Sequence, residues 1–401
     1  MNCFRDKSVV SIILCVIMFS SILVSRSQLA LGALASSKSI SSSGVISVGL
    51  LRLHTDGRWI RDVDGNNVVM KGGDVFWRFK YASHYYDYDP LAYDDEINEA
   101  SMDLFASTSA NFIRLCLNGW TWYVKRAPKY VAAVDTVISW CKARGIMVVL
   151  SNMAPWYETD VDPNFDYKDQ ITLVTELTDW KNFMVELAQR YRDEPTVIGF
   201  DLLNEPPYVS TWQQRGYSDP WSIWRTNVLD VIKAIHAVDS GYLCFVEPLG
   251  SSSHEDDMNN FKTNPLPEPN IVYCAHIYYA WDLAPPVPYA ENYAAGNFAL
   301  AKQQMEASYY ERFIDMVDVG LPVMQMETGV YGHERENENP NWRQWVVDVL
   351  ALYNKYGVGC NWHLFSPDRP DSSIFSLLKG DRTGLSELGE LWARNLTPTS
   401  T

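Results

Sequence analysis

Val197-Ile198-Gly199-Phe200-Asp201-Leu202-Leu203-Asn204, followed by Glu205-Pro206, is a short apolar run that breaks off into polar residues. A run of this length, rich in apolar residues on both alternating faces, predicts a strand buried on both sides, as in a parallel sheet. Seven more runs share its character: Val68 to Asp74, Asn111 to Leu117, Ile146 to Ser151, Tyr242 to Glu247, Ile271 to His276, Leu321 to Glu327 and Val358 to Leu364. Longer amphipathic segments separate them. Trp180, Phe183, Met184, Leu187 and Tyr191 recur at helical spacing, and Val131, Val134, Ile138 and Cys141 make a similar stripe. Eight strand–helix units predict an α/β fold of the (β/α)8 TIM-barrel kind. An open doubly wound sheet is the alternative, but it would want a glycine-rich phosphate loop after its first strand. Lys71-Gly72-Gly73-Asp74 does not supply one. Ahead of the barrel, the turns Asp56-Gly57 and Asp64-Gly65 predict a short N-terminal β-hairpin that plugs the barrel floor.

With 47% hydrophobic and 20% charged residues among 401, the chain is neither disordered nor membrane-embedded in composition. Arg5, Lys7, an apolar run from Val9 to Val24 and the pair Ala33 and Ala35 read as a secretory signal peptide over 1–35. An uncleaved membrane anchor is the alternative. A serine-rich linker follows over 36–46, and a single catalytic domain is expected over 47–397. The working part then lies outside the cell, secreted or at its surface. Formal charge is −16, and removing Arg5, Lys7 and Arg26 together with Asp6 leaves about −18. Nucleic acid is an unfavourable partner for such a chain, and a neutral substrate fits better. Cys116, Cys141, Cys244, Cys274 and Cys360 are odd in number, match no zinc spacing and sit mostly in apolar runs, so buried free thiols are expected.

Polar residues collect where the strands end, which in a parallel barrel is the catalytic face: Arg114, Asn204 with Glu205, His276, Tyr278, Glu327 and Trp362. Strand alternation sets Arg114 opposite Ile113 and Leu115, pointing into the barrel, where its charge needs a carboxylate such as Glu327. Two carboxylates on one barrel top suit glycosidic cleavage, and retention of configuration wants them about 5 Å apart. An ionised Glu327, bound by Arg114 and the Tyr278 hydroxyl, would favour the protonated form of Glu205, so the two would take different roles. Asn204 would bond a sugar 2-hydroxyl, and His276 would orient Glu205 or a substrate hydroxyl. Glu247 is a rival carboxylate, read as a loop-packing or substrate-contact residue, and Asp201 and Asp74 read as structural. Trp120, Trp122, Trp156, Trp212, Trp221, Trp281 and Trp362 fall on or near the same face and suggest an aromatic cleft for several sugar units, Trp156, Trp281 and Trp362 being taken as substrate-binding. The acidic cluster His254-Glu255-Asp256-Asp257 is read as a solvated helix start rather than a calcium site.

Asp201-Leu202-Leu203-Asn204-Glu205-Pro206, His276-Ile277-Tyr278, Met326-Glu327-Thr328-Gly329 and Asn361-Trp362, in that order and with Arg114 ahead of them, resemble glycoside hydrolase family five, the cellulase family of the barrel clan. The likeness runs roughly from Leu51 to Leu396. It implies a retaining double displacement without metal or organic cofactor, with Glu205 matching the family's acid/base and Glu327 its nucleophile. Arg114, Asn204, His276, Tyr278 and Trp362 match its supporting residues. One departure stands out: the family often carries a histidine after its third strand, and Ser151-Asn152-Met153 has none. The resemblance implies an endo-β-1,4-glycanase acting on a cellulose-type β-glucan, and a monomer is expected. β-Mannan, a glycolipid or a short oligosaccharide are alternative substrates, and a non-catalytic carbohydrate-binding protein on the same scaffold is the alternative of another class.

Overall fold

The computed structural model describes residues 52–80, 87–153, 168–250, 255–279, 288–330, 341–367 and 376–396. The expected signal segment, the serine-rich linker, Trp156 and Trp281 lie outside the described residues. Two short strands, β1 (His54–Asp56) and β2 (Trp59–Arg61), pair antiparallel around Gly57. Eight strands then follow: β3 (Lys71–Val75), β4 (Phe112–Asn118), β5 (Met147–Met153), β6 (Val197–Asp201), β7 (Leu243–Val246), β8 (Ile271–His276), β9 (Val323–Thr328) and β10 (Gly359–Trp362). Each pairs in parallel with its sequence neighbour, and β10 closes on β3, so the sheet is the expected barrel with helices around it.

The sorting of side chains follows from the pleat. On β4, Ile113, Leu115 and Leu117 face outward into the large core shared with the helices, while Phe112 and Arg114 face inward. Inside, the lower layer is apolar: Phe112, Met147, Val149, Ile198, Leu243, Phe245, Val272, Met324 and Met326 fill it. Gly72 makes room there, since a Cβ on it would lie 2.3 Å from the Phe112 carbonyl oxygen and 2.6 Å from its ring. The layer above holds charge, so the barrel changes from oil to ions within a few residues of each strand.

The hairpin seals the bottom. Leu53 and Ile60 are buried in the same cluster as the lower layer, with Val68 packed against it. Thr55 N–H donates to Asn270 Oδ1 at 3.0 Å and Asn270 N–H returns a bond to Thr55 Oγ1 at 3.1 Å, fixing the hairpin beneath β8. Val68 N–H bonds to Ile60 O at 2.8 Å, so Val68, expected to begin the first barrel strand, pairs with the hairpin instead, while Met70 O already accepts from Cys360 N–H of β10 at 2.8 Å. Outside, the expected stripe Trp180, Phe183, Met184 and Leu187 is buried along the helix Thr178–Arg190, with Tyr191 buried at its C-cap, and Trp180 stacks on Trp224 of the helix Pro220–Val238 at 5.5 Å. All five described cysteines are buried free thiols.

Candidate active site

A guanidinium with no exposure to water organises the barrel mouth. Arg114 donates from Nε to Asp201 Oδ2 at 2.9 Å, and from one terminal nitrogen to Asp201 Oδ2 at 2.5 Å and Asn204 Oδ1 at 2.7 Å. The other terminal nitrogen donates to Glu327 Oε1 and approaches Asp74 Oδ1 at 3.4 Å. Glu327 is therefore a partner as the strand alternation required, but it shares the cation with Asp201, Asp74 and Glu247. Burial works against the Arg114 charge, and Asp201, Asp74 and Glu327 outweigh it, holding the guanidinium pKa well above its ordinary value. Asp201, which also accepts from Ser151 Oγ at 2.6 Å, is pushed up to about 6: burial and Glu247 raise it against the pull of Arg114.

Glu327 sits at the end of β9, 4% exposed, with Oε2 accepting from the Tyr278 hydroxyl at 2.5 Å. Burial alone would raise its pKa, yet His276, Arg114, His363 and the Tyr278 hydroxyl hold it well below the usual carboxylate range. At neutral pH it is an anion fixed on both oxygens. Glu205 follows β6 and stands across from it: one oxygen of each carboxylate and a His276 nitrogen all lie within 4.8 Å of one another. His276 Nδ1 is 3.1 Å from Glu205 Oε1 and 3.7 Å from Glu327 Oε2, and its Nε2 is 3.0 Å from Glu247 Oε1. Burial disfavours a charge on this ring, but Glu247 and Glu327, with hydrogen bonds to Glu205 and Glu247, hold its pKa well above the ordinary histidine value. Arg114, Asn204, Glu205, His276, Tyr278 and Glu327 are thus brought together.

Trp362 is not among them. It is fully buried in the helix-side core, its ring 6.1 Å from that of Trp345. The pleat of β10 explains this: Cys360 and Trp362 face outward, whereas Asn361 faces inward and donates to Asp74 Oδ1. The next inward position is His363, whose Nδ1 lies 2.8 Å from Asp74 Oδ2 and 4.0 Å from Glu327 Oε2. The alternation itself was the signal that could have found His363. The aromatic cleft is likewise corrected in part, since Trp122 and Trp212 are core residues and Trp120 and Trp221 are half-buried. On β5, Ser151 and Asn152 serve the scaffold, Asn152 donating to Leu202 O at 3.0 Å. Among the described residues, Asp74, Glu327 and His363 form a second close acid–histidine group beside Glu205, His276 and Glu327. Their oxygens accept from Arg114, Tyr278 and Asn361.

A family model described as Cellulase (glycosyl hydrolase family 5) matches residues 61–368. Endoglucanase N of Pectobacterium atrosepticum is 27% identical over 175 residues, 43% of this chain and 34% of that protein. A beta-xylosidase of Phanerodontia chrysosporium is 26% identical over 280 residues, 64% of this chain and 54% of that protein. The chain thus spans about a third of the length of the endoglucanase it matches. Among solved structures, a beta-glucanase from Saccharophagus degradans superposes with a TM-score of 0.65 at 19% identity, covering 86% of this chain and 93% of that one. An endocellulase from Pyrococcus horikoshii, in complex with cellotetraose, gives 0.63 at 18% identity, with 87% and 99% covered. At such identities the likeness speaks for the fold.

Proposed function

Because the chain belongs to the cellulase family, glycosyl hydrolase family 5, we propose that it is a secreted, retaining endo-β-1,4-glycanase whose first substrate is a cellulose-type β-glucan. The observation that carries this reading is the approach of the Glu205 and Glu327 oxygens to within 4.8 Å, on the retaining side of the two glycosidase geometries. Glu327, ionised and fixed by Arg114 and Tyr278, attacks the anomeric carbon and forms a glycosyl ester. Glu205 accepts from His276 Nδ1 on Oε1, and its other oxygen gives a proton to the departing glycosidic oxygen. Glu205 then takes a proton from water, which attacks the ester and frees Glu327. Asn204, tied to Arg114, is placed to bond the sugar 2-hydroxyl.

A reducing-end assay on soluble glucans and mannans tests the proposal. Glu327→Gln is expected to lose almost all turnover while keeping glycan affinity, and proton NMR of fresh product should show the β anomer first. An α product, or turnover intact in the variant, overturns it. The likeness to a beta-xylosidase over 64% of the chain favours a second reading, an exo-acting enzyme on short β-linked oligosaccharides. Aryl glucosides and xylosides in the same panel separate the two.

A further inference from the structure

Glu247 lies one residue beyond β7, 1% exposed, and takes no part in the acid pair. Its oxygens nonetheless reach three parts of the site. Oε2 accepts the backbone N–H of Glu205 at 2.6 Å, while Oε1 stands 3.0 Å from His276 Nε2 and 3.3 Å from a terminal nitrogen of Arg114. The first contact falls where the backbone is strained: Glu205 has φ of 46°, in the left-handed region that a residue with a Cβ seldom adopts. The second falls on a ring whose opposite nitrogen faces Glu205 at 3.1 Å.

We propose that Glu247 is a positioning residue that aims the Glu205 carboxyl from two directions, through the Glu205 backbone and through the His276 ring. The proposal rests on the acid/base role given to Glu205 above. Around His276 stand three carboxylates, Glu205, Glu247 and Glu327, with Arg114 and Tyr278 bonded to Glu327. Burial opposes a charge on the ring, and Glu247 is the foremost influence sustaining it. As an imidazolium, His276 has hydrogens on both nitrogens, so Nδ1 can only donate to Glu205 Oε1. That leaves the other Glu205 oxygen as the one carrying the transferable proton.

Glu247→Gln removes the charge yet keeps an acceptor for the Glu205 N–H. It is expected to lower kcat about tenfold to a hundredfold, to leave KM within about twofold, and to move the alkaline limb of the kcat profile to lower pH. Glu247→Ala, which also releases the backbone, should be the more damaged. In nitrogen-15 NMR the wild-type His276 ring should carry two N–H groups at neutral pH and lose one at lower pH in Glu247→Gln. A folded Glu247→Gln with wild-type kcat and profile, changed only in melting temperature, marks a merely structural ion pair and overturns the proposal. So does a wild-type His276 ring that is neutral at pH 7, whatever the variants do. A wild-type protein inactive on every β-glycan sinks the acid/base reading instead, and the NMR titration still decides whether Glu247 sets the charge of His276.

Discussion

The Tyr278 hydroxyl is the simplest contact to remove. It donates to Glu327 Oε2, and a hydrogen bond to a charged group contributes about 1.5–3 kcal/mol. Tyr278→Phe is therefore expected to lower kcat about tenfold to a hundredfold with little change in KM, measured on the best substrate of the panel. Proton linkage gives a second prediction at this scale. Glu327 has its folded pKa lowered from 4.5, so its contribution to stability is present above that value and is lost as pH falls. Asp201 has the opposite sign: raised from 3.8 to about 6, it favours the fold at low pH and loses that contribution as pH rises through 6. Melting curves of wild type and Glu327→Gln should converge as pH drops below 4.5, because only the wild type has the Glu327 contribution to lose. A gap that widens on acidification would show that the carboxylate is not held by its neighbours.

At the level of strands, the eight runs were legible because each is short and mostly apolar and alternates with a longer amphipathic segment; Ile271–His276 was bounded to the residue. Their ends were less so. Val68 looks like barrel strand from composition but bonds to the hairpin, and Leu202 to Asn204 lie past the end of β6, although Leu202 and Asn204 still donate to Phe245 O and Asn152 O of the strands beside it. Arg114 and Glu327 were readable as a pair because a buried cation demands an anion. Glu247 was not, since what makes it important is proximity to His276 and to a backbone N–H, neither of which has a sequence spacing. Trp362 matches a family position, yet the pleat of β10 turns it outward into the helix-side core. Its burial predicts that Trp362→Ala destabilises the fold by about 3–5 kcal/mol while KM stays near the wild-type value. Denaturant unfolding and steady-state kinetics check the two halves, and a raised KM at unchanged stability would restore it to the sugar site.

Across the whole molecule, the hairpin and the mouth lie at opposite ends of one barrel. Leu53 and Ile60 close the apolar layer from below, so Leu53→Ala is expected to cost about 2–5 kcal/mol without altering the ratio of activities on glucan and mannan. Thermal melts and the substrate panel test this, and a changed ratio would mean that the floor communicates with the mouth.

At that mouth one guanidinium, borne by β4, reaches acids from four other parts of the sheet: Asp74 on β3, Asp201 on β6, Glu247 beyond β7 and Glu327 on β9. Withdrawing any one of them redistributes the attraction felt by the remaining three, so substitutions here cannot combine additively. Drift through this ring by independent single changes is closed off, and divergence is channelled into coordinated replacements: the epistasis of the site is written into its hub.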